Sequence, residues 1–405
     1  MNTIDIEDSL ALSVCMKQPV AIARGLGARV WDEQGRAFLD FTAGWGVTSL
    51  GHSHPVLVAA IAEQAGRLMQ NPNSGFTYSP VRAKLLQQLQ GVLPAGLERV
   101  FFANSGAEAN DAAVKLARKV TGRSKVLVAS NSFHGRTLAT LSLSGGPENG
   151  ARFAPQVPGH QFLPFGDVDA LRAAMDAEVA AVLLEPVQGE GGVRLPSPDY
   201  LPAVAELCRE RGALLIADEV QTGFCRTGSF FAVDAVGVQP DILTMGKGIA
   251  GGFPLAAFAV TARVAAGVAR GDHGGTYCGN PLGCAAASAV VDYLVTHDVA
   301  ARVARLGQVL LQDLQQLAEE FPGLLREVRG KGLLLGLQLH SDAQVSALTE
   351  AALARGLLVT PTRNAVLRLI PSLLLEKAEW EEGLGILRGA CADVLAQVPA
   401  AVRAA

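Results

Sequence analysis

The chain has 405 residues, 49% of them apolar and 18% charged, with a formal net charge of −4. This composition can bury a large core in two or three structural units, and the scattered basic residues exclude an electrostatic footprint for nucleic acid or an anionic membrane. Six widely spaced cysteines without a C-x-x-C pair point away from a disulfide framework and a structural zinc site.

The opening segment, MNTIDIEDSLALSV, is acidic and lacks the basic flank and long apolar run of a signal peptide. No later run reaches about eighteen uninterrupted apolar residues, so the expectation is a cytoplasmic protein. Residues 1–45 read as an arm belonging to a smaller C-terminal unit, with VWDEQGRAFLD hairpin-like. His52 and His54 in GHSHP lack a third acidic or thiol partner nearby, and no metal is assigned.

Residues 46–290 read as a large unit. Strand candidates are ERVFFAN (98–104), SKVLVAS (124–130), AAVLLEP (180–186), ALLIADE (213–219), PDILTMG (240–246) and LAAFAVT (255–261). Helices are expected over 107–120 and 198–211. Continuous apolar strands interleaved with helices predict an α/β layered fold with a mainly parallel sheet, whose ligands sit at the strands' carboxyl ends. Residues 291–405 read as a smaller α+β unit; a long helix over roughly 285–320 leads into GLLLGLQLH (332–340) and AVLRLIPSL (365–373).

Three strand ends carry distinctive chemistry. ERVFFAN delivers Ser105, Gly106 and Ala107 to a helix N-terminus, which suits an anion such as phosphate, although a serine there is also an ordinary N-cap. ALLIADE ends in Asp218, which could equally be a turn residue, and PDILTMG delivers Lys247 into a glycine-rich loop. Anion cradle, carboxylate and amine on neighbouring strands meet the three demands of pyridoxal 5'-phosphate: its phosphate, its basic pyridine nitrogen and its aldehyde. Glycines 246, 248, 251 and 252 leave room for the ring. A P-loop is excluded, because Asp241 and Gly248 stand where that motif requires glycine and Ser or Thr. Cys278 and Cys284 lack a local His-bearing signature of a nucleophile and read as small buried residues.

Seven segments in register, FFANSGAEANDAAVKLAR, NSFHGRTLATLSLSG, LLEPVQGEGGV, LLIADEVQTGFCRTG, PDILTMGKGIAGGFP, HGGTYCGNPL and VLRLIPSL, resemble the signature segments of class III aminotransferases. The subgroup resembled is that of the acetylornithine and ornithine enzymes. The resemblance implies the pyridoxal-phosphate transferase fold of type I. It makes Lys247 the residue that bonds the cofactor aldehyde and carries protons, and Asp218 the partner of the pyridine nitrogen. Phe133 and Val220 would cover the two ring faces, with His134 and Gln221 alongside, and Ser105, Gly106 and Ala107 would hold the phosphate. Thr276 would reach the phosphate in a neighbouring subunit, implying a homodimer with sites at its interface. Gly275 departs from the family, which often has a hydroxyl residue there.

The same resemblance places Arg136 and Arg368 in the substrate cleft, where two forked donors can grip both ends of 2-oxoglutarate or glutamate. Glu190 would pair with Arg368 when the amino donor has no carboxylate there. Trp45 stands where ornithine enzymes tend to carry tyrosine and acetylornithine enzymes a small or aliphatic residue. Transfer of a terminal amino group from N-acetylornithine or an ornithine-like donor to 2-oxoglutarate is therefore the leading expectation. Another ω-amino acid, amine or diamine remains open as the donor, as do decarboxylation, internal amino migration and a noncatalytic binding protein of the same fold.

Overall fold

The computed structural model describes residues 2–397. The last eight residues of the expected C-terminal unit lie outside that range. A seven-stranded sheet organises the large unit: β1 (Leu97–Ala103), β2 (Lys125–Ala129), β3 (His160–Leu163), β4 (Val179–Leu184), β5 (Leu214–Asp218), β6 (Ile242–Met245) and β7 (Ala256–Thr261). Their spatial order is β1-β7-β6-β5-β4-β2-β3. All pairings are parallel except those of β7, which runs antiparallel to both β1 and β6. The carboxyl ends of the other six strands therefore share one edge. Every residue of β4 and β5 is buried, which explains their unbroken apolar sequences: helices cover both faces.

Helix α1 (Gly106–Thr121) follows β1 directly. Its start is fixed by a reciprocal capping box between Ser105 and Glu108, and its end by Gly122 in the left-handed conformation. Its buried face is mostly alanine, with Ala109, Ala112, Ala113 and Ala117 beside Val114 and Leu116. Small side chains let the helix axis approach the sheet closely, so the helix N-terminus is held at the strand ends.

Two smaller four-stranded sheets complete the molecule. In one, the hairpin of Arg29–Asp32 and Ala37–Asp40 is extended by Leu357–Leu358, which pairs in parallel with Leu39 and Asp40. The N-terminal hairpin thus joins a sheet with the C-terminal segment. The other is antiparallel, in the order 325–331, 334–339, 366–369 and 360–362.

Two expectations need correction. The single long helix over 285–320 is two helices, Pro281–Thr296 and Val299–Glu320, broken where Asp298 adopts φ +45°. Strand β3 was absent from the expected set; it is a short edge strand with no fully buried residue, so its sequence carries no strong apolar signal. No helix among the described residues is long and apolar enough to cross a membrane.

Candidate active site

The carboxyl edge of the sheet brings together the residues that the sequence analysis singled out at β1, β5 and β6. At the end of β1, Ser105 Oγ accepts the Glu108 N–H, while Glu108 accepts the N–H groups of Asn104 and Ser105. The capping box leaves the N–H groups of Gly106 and Ala107 without an acceptor among the described residues. Ser105 is thus an N-cap, and its own hydroxyl proton stays available. A Cβ on Gly106 would lie 2.7 Å from Val220 Cγ1, so glycine is required for Val220 to approach the helix start.

Asp218 closes β5 and is buried. Its Oδ2 accepts the Asn110 amide and His134 Nδ1, each at 2.7 Å, and its Oδ1 accepts the Val220 N–H at 3.1 Å. Asn110 also donates to the His134 carbonyl and accepts from Thr244 Oγ1, so it braces the carboxylate from α1 and β6 together. The Asp218 contact gives His134 a proton on Nδ1, and its buried Nε2 has no partner among the described residues. Sequence reasoning missed Asn110, Thr244 and Glu185. Glu185, beyond β4, accepts the Phe133 N–H, and burial above all pushes its carboxyl up to about 7, opposed by His134.

Lys247 opens a short 3-10 turn after β6 with φ +43°, a conformation that a lysine adopts only under restraint. Its Nζ has no hydrogen bond or ion pair among the described residues. Burial lowers its pKa, Glu190 resists that shift and Arg368 adds to it.

The small unit contributes Arg368, fully buried on strand 366–369. Its Nη1 donates to Glu190 Oε1 at 2.6 Å and to Gln221 Oε1 at 3.1 Å. Burial pushes the Glu190 pKa up, but Arg368 and then Lys247 outweigh it, and the net shift is downward. Glu190 is therefore a carboxylate. Arg136 is exposed, with its guanidinium carbon 5.6 Å from the centre of the Phe133 ring.

Trp45 sits in an unusual backbone. Ala43, Gly44, Trp45 and Gly46 all have positive φ, and i-to-i+4 hydrogen bonds link Thr42 to Gly46 and Ala43 to Val47. This is one turn of left-handed helix. The Trp45 side chain is 61% exposed in the single chain, so it does not form a packed wall by contacts within its own subunit. Thr276 is exposed too; its carbonyl accepts from Gln70 and Ser74, while its hydroxyl has no partner among the described residues.

The family model for class-III aminotransferases matches residues 13–391. The chain is a class-III aminotransferase. Among its relatives, the acetylornithine aminotransferase of Methanothermobacter thermautotrophicus is 42% identical over 96% of this chain and 98% of its own. Acetylornithine aminotransferase 1 of Pseudomonas syringae pv. tomato is 45% identical over 92% of each. Among solved structures, the ornithine aminotransferase of Toxoplasma gondii superposes with a TM-score of 0.92 at 35% identity, covering 97% of this chain and 94% of that one.

The aminotransferase uses pyridoxal 5'-phosphate. The residues present fit that group: two free N–H groups at a helix N-terminus suit the phosphate, and the second lone pair of Asp218 Oδ1 suits a protonated ring nitrogen. The uncommitted Lys247 amine suits the aldehyde.

Proposed function

We propose that this aminotransferase transfers the terminal amino group of an ω-amino acid, N-acetylornithine or an ornithine-like donor, to 2-oxoglutarate in two successive half-reactions. The reading is carried by the pair of buried Arg368 and half-buried Glu190. A guanidinium held by a carboxylate of its own protein can receive a donor that offers no carboxylate there. When Glu190 swings aside, the same guanidinium can take the α-carboxylate of glutamate or 2-oxoglutarate. Arg136, exposed and with no ion pair among the described residues, is the group proposed to grip the other carboxylate.

Bound pyridoxal phosphate supplies an electron sink for the carbon that loses a proton. Gly106 and Ala107 hold the phosphate through backbone N–H groups and Ser105 through its hydroxyl. Phe133 and Val220 confine the ring, Gln221 lies beside Glu190, and Asp218, braced by His134 and Asn110, keeps the ring nitrogen protonated. Lys247, with a pKa lowered by burial, takes a proton from one substrate carbon and returns it to another position.

The site is completed by a second copy in a cytoplasmic homodimer, the partner giving its Thr276 hydroxyl to the phosphate. A groove of about 490 Å³ between Phe76, Arg82, Phe101 and Thr276, beside the fully exposed Phe76 and Tyr78 rings, supports that reading. A panel of ω-amino acids, amines and diamines assayed against 2-oxoglutarate tests the donor. N-acetylornithine or ornithine should give the highest specificity constant, and a simple diamine outperforming both would overturn the assignment. The exposed Trp45 is the feature that favours such an alternative donor.

A further inference from the structure

Arg226 is a second buried guanidinium beside Arg368, and the activity described so far makes no use of it. It lies in the loop after β5, just beyond Phe224 and Cys225, both of which have positive φ. That contorted backbone turns Arg226 toward the small unit. Its Nη1 donates to the carbonyls of Leu333, at 3.1 Å, and Pro371, at 2.5 Å, and its own carbonyl accepts the Leu333 N–H.

The strand register explains this choice of acceptors. Leu335 faces Leu369 and Gly336 faces Arg368 in the antiparallel pair of strands 334–339 and 366–369. Leu333 and Pro371, each two residues beyond the Leu335–Leu369 pair, therefore emerge side by side at one end. Arg226 ties that end to the large unit, three residues from Arg368.

Holding two carbonyls requires N–H donors and no charge. A neutral amide would do it without burying a second cation next to Arg368, which is electrostatically costly. Burial first and Arg368 second push the Arg226 pKa down, the mark of that cost. Arg226 has no ion pair among the described residues; Glu190 alone pairs with Arg368. Three buried guanidinium nitrogens, Arg226 Nη2 and Arg368 Nε and Nη2, have no partner among the described residues. Arg368 Nε and Nη2 thus remain open to an arriving anion, and the Arg226 charge lies close enough to act on the same guanidinium.

We propose that Arg226 is a positioning residue for carboxylate recognition: it locks the strand end that carries Arg368 and, by its charge, raises that guanidinium's affinity for the substrate's α-carboxylate. The proposal rests on the reading of Arg368 as the carboxylate site.

Glutarate, a dicarboxylate with no reacting group, is the probe, titrated calorimetrically into the holoenzyme. Arg226→Gln keeps an N–H donor and removes the charge; Arg226→Lys keeps the charge but offers a point donor in place of a fork. The Gln variant should bind glutarate at least about tenfold more weakly and the Lys variant within about threefold of wild type, the scale of one short-range screened charge contact. Both should melt at a lower temperature, and the donor half-reaction should keep its rate. Equal weakening in the two variants would reduce Arg226 to a structural staple and overturn the proposal, as would wild-type affinity in both. If the Gln variant does not fold, the Lys variant decides: a loss beyond about threefold counts against the role of charge. Arg368→Ala is the control; if it binds glutarate like wild type, the reading of Arg368 itself is wrong, and the proposal falls for that separate reason.

Discussion

Glu190 and Arg368 lie 178 residues apart in the chain and meet at 2.6 Å, the carboxylate offered by the loop after β4 and the guanidinium by a strand of the small unit. On the reading proposed above, Glu190 gives up Arg368 Nη1 when a substrate carboxylate takes the guanidinium, which makes the two half-reactions separable by mutation. Arg368→Ala should slow the half-reaction with 2-oxoglutarate far more than that with the donor, by a loss of about 2–3 kcal/mol in transition-state binding. Glu190→Ala should make glutamate a better competing donor. Stopped-flow rates for each half-reaction check both, and equal effects on the two would count against a switch.

Lys247→Ala should still bind pyridoxal phosphate but lose the adduct that borohydride fixes to the protein. The lowered Lys247 pKa adds a pH signature. Only a neutral amine can attack the aldehyde, so reconstitution of the apoenzyme should speed up as pH rises and level off below the ordinary lysine value of about 10.4. A midpoint at or above that value would contradict the burial argument.

Trp45 occupies a left-handed turn without being glycine, which costs roughly 1–2 kcal/mol. Its side chain is exposed and gives little packing in return within the single chain. Trp45→Gly should therefore raise the melting temperature while lowering the specificity constant for the best long-stem donor and sparing that for 2-oxoglutarate. Calorimetry and donor kinetics on one preparation test both halves; a lower melting temperature would mean that the indole is needed for packing.

Glu219 is fully buried and accepts the Val233 N–H at 2.8 Å as well as the Thr222 hydroxyl, yet burial pushes its pKa from 4.5 up to about 7. With the folded value raised, its stabilising contribution is full below the unfolded pKa and is lost as pH rises through 7. Glu219→Gln should thus gain stability relative to wild type between pH 5 and pH 8, by up to about 3 kcal/mol. Denaturant titrations at the two pH values read the difference, and a constant offset would refute the linkage.

The α/β class was legible because β4 and β5 are buried on both faces and so carry unbroken apolar runs. The candidate site residues stood out because chemistry concentrates at strand ends, where Ser105, Asp218 and Lys247 interrupt those runs. Asn110 was not legible: on a helix mostly lined with alanine it looks like one polar residue among several, and only the fold places its amide against Asp218. Arg226 was hidden for a similar reason, since its two carbonyl acceptors lie 107 and 145 residues further along the chain. The break at Asp298 was also illegible, because both helices around it are apolar enough to read as one.

The place of β7 also bears on synthesis. β1 pairs only with β7 in the sheet, so Ser105 and the start of α1 hang from a strand that leaves the ribosome more than 150 residues after it. Until residue 261 has emerged, β1 presents an unpaired edge and nothing fixes its distance from the lysine loop at the end of β6. The nascent chain thus passes through a long interval of exposed strand edge, a state prone to aggregation and in need of protection. Limited proteolysis of stalled chains should find β1 cleavable in those ending before β7 and shielded in those ending well beyond it, so the last strand of this sheet to be made is the one that brings Ser105 and Lys247 into a common frame.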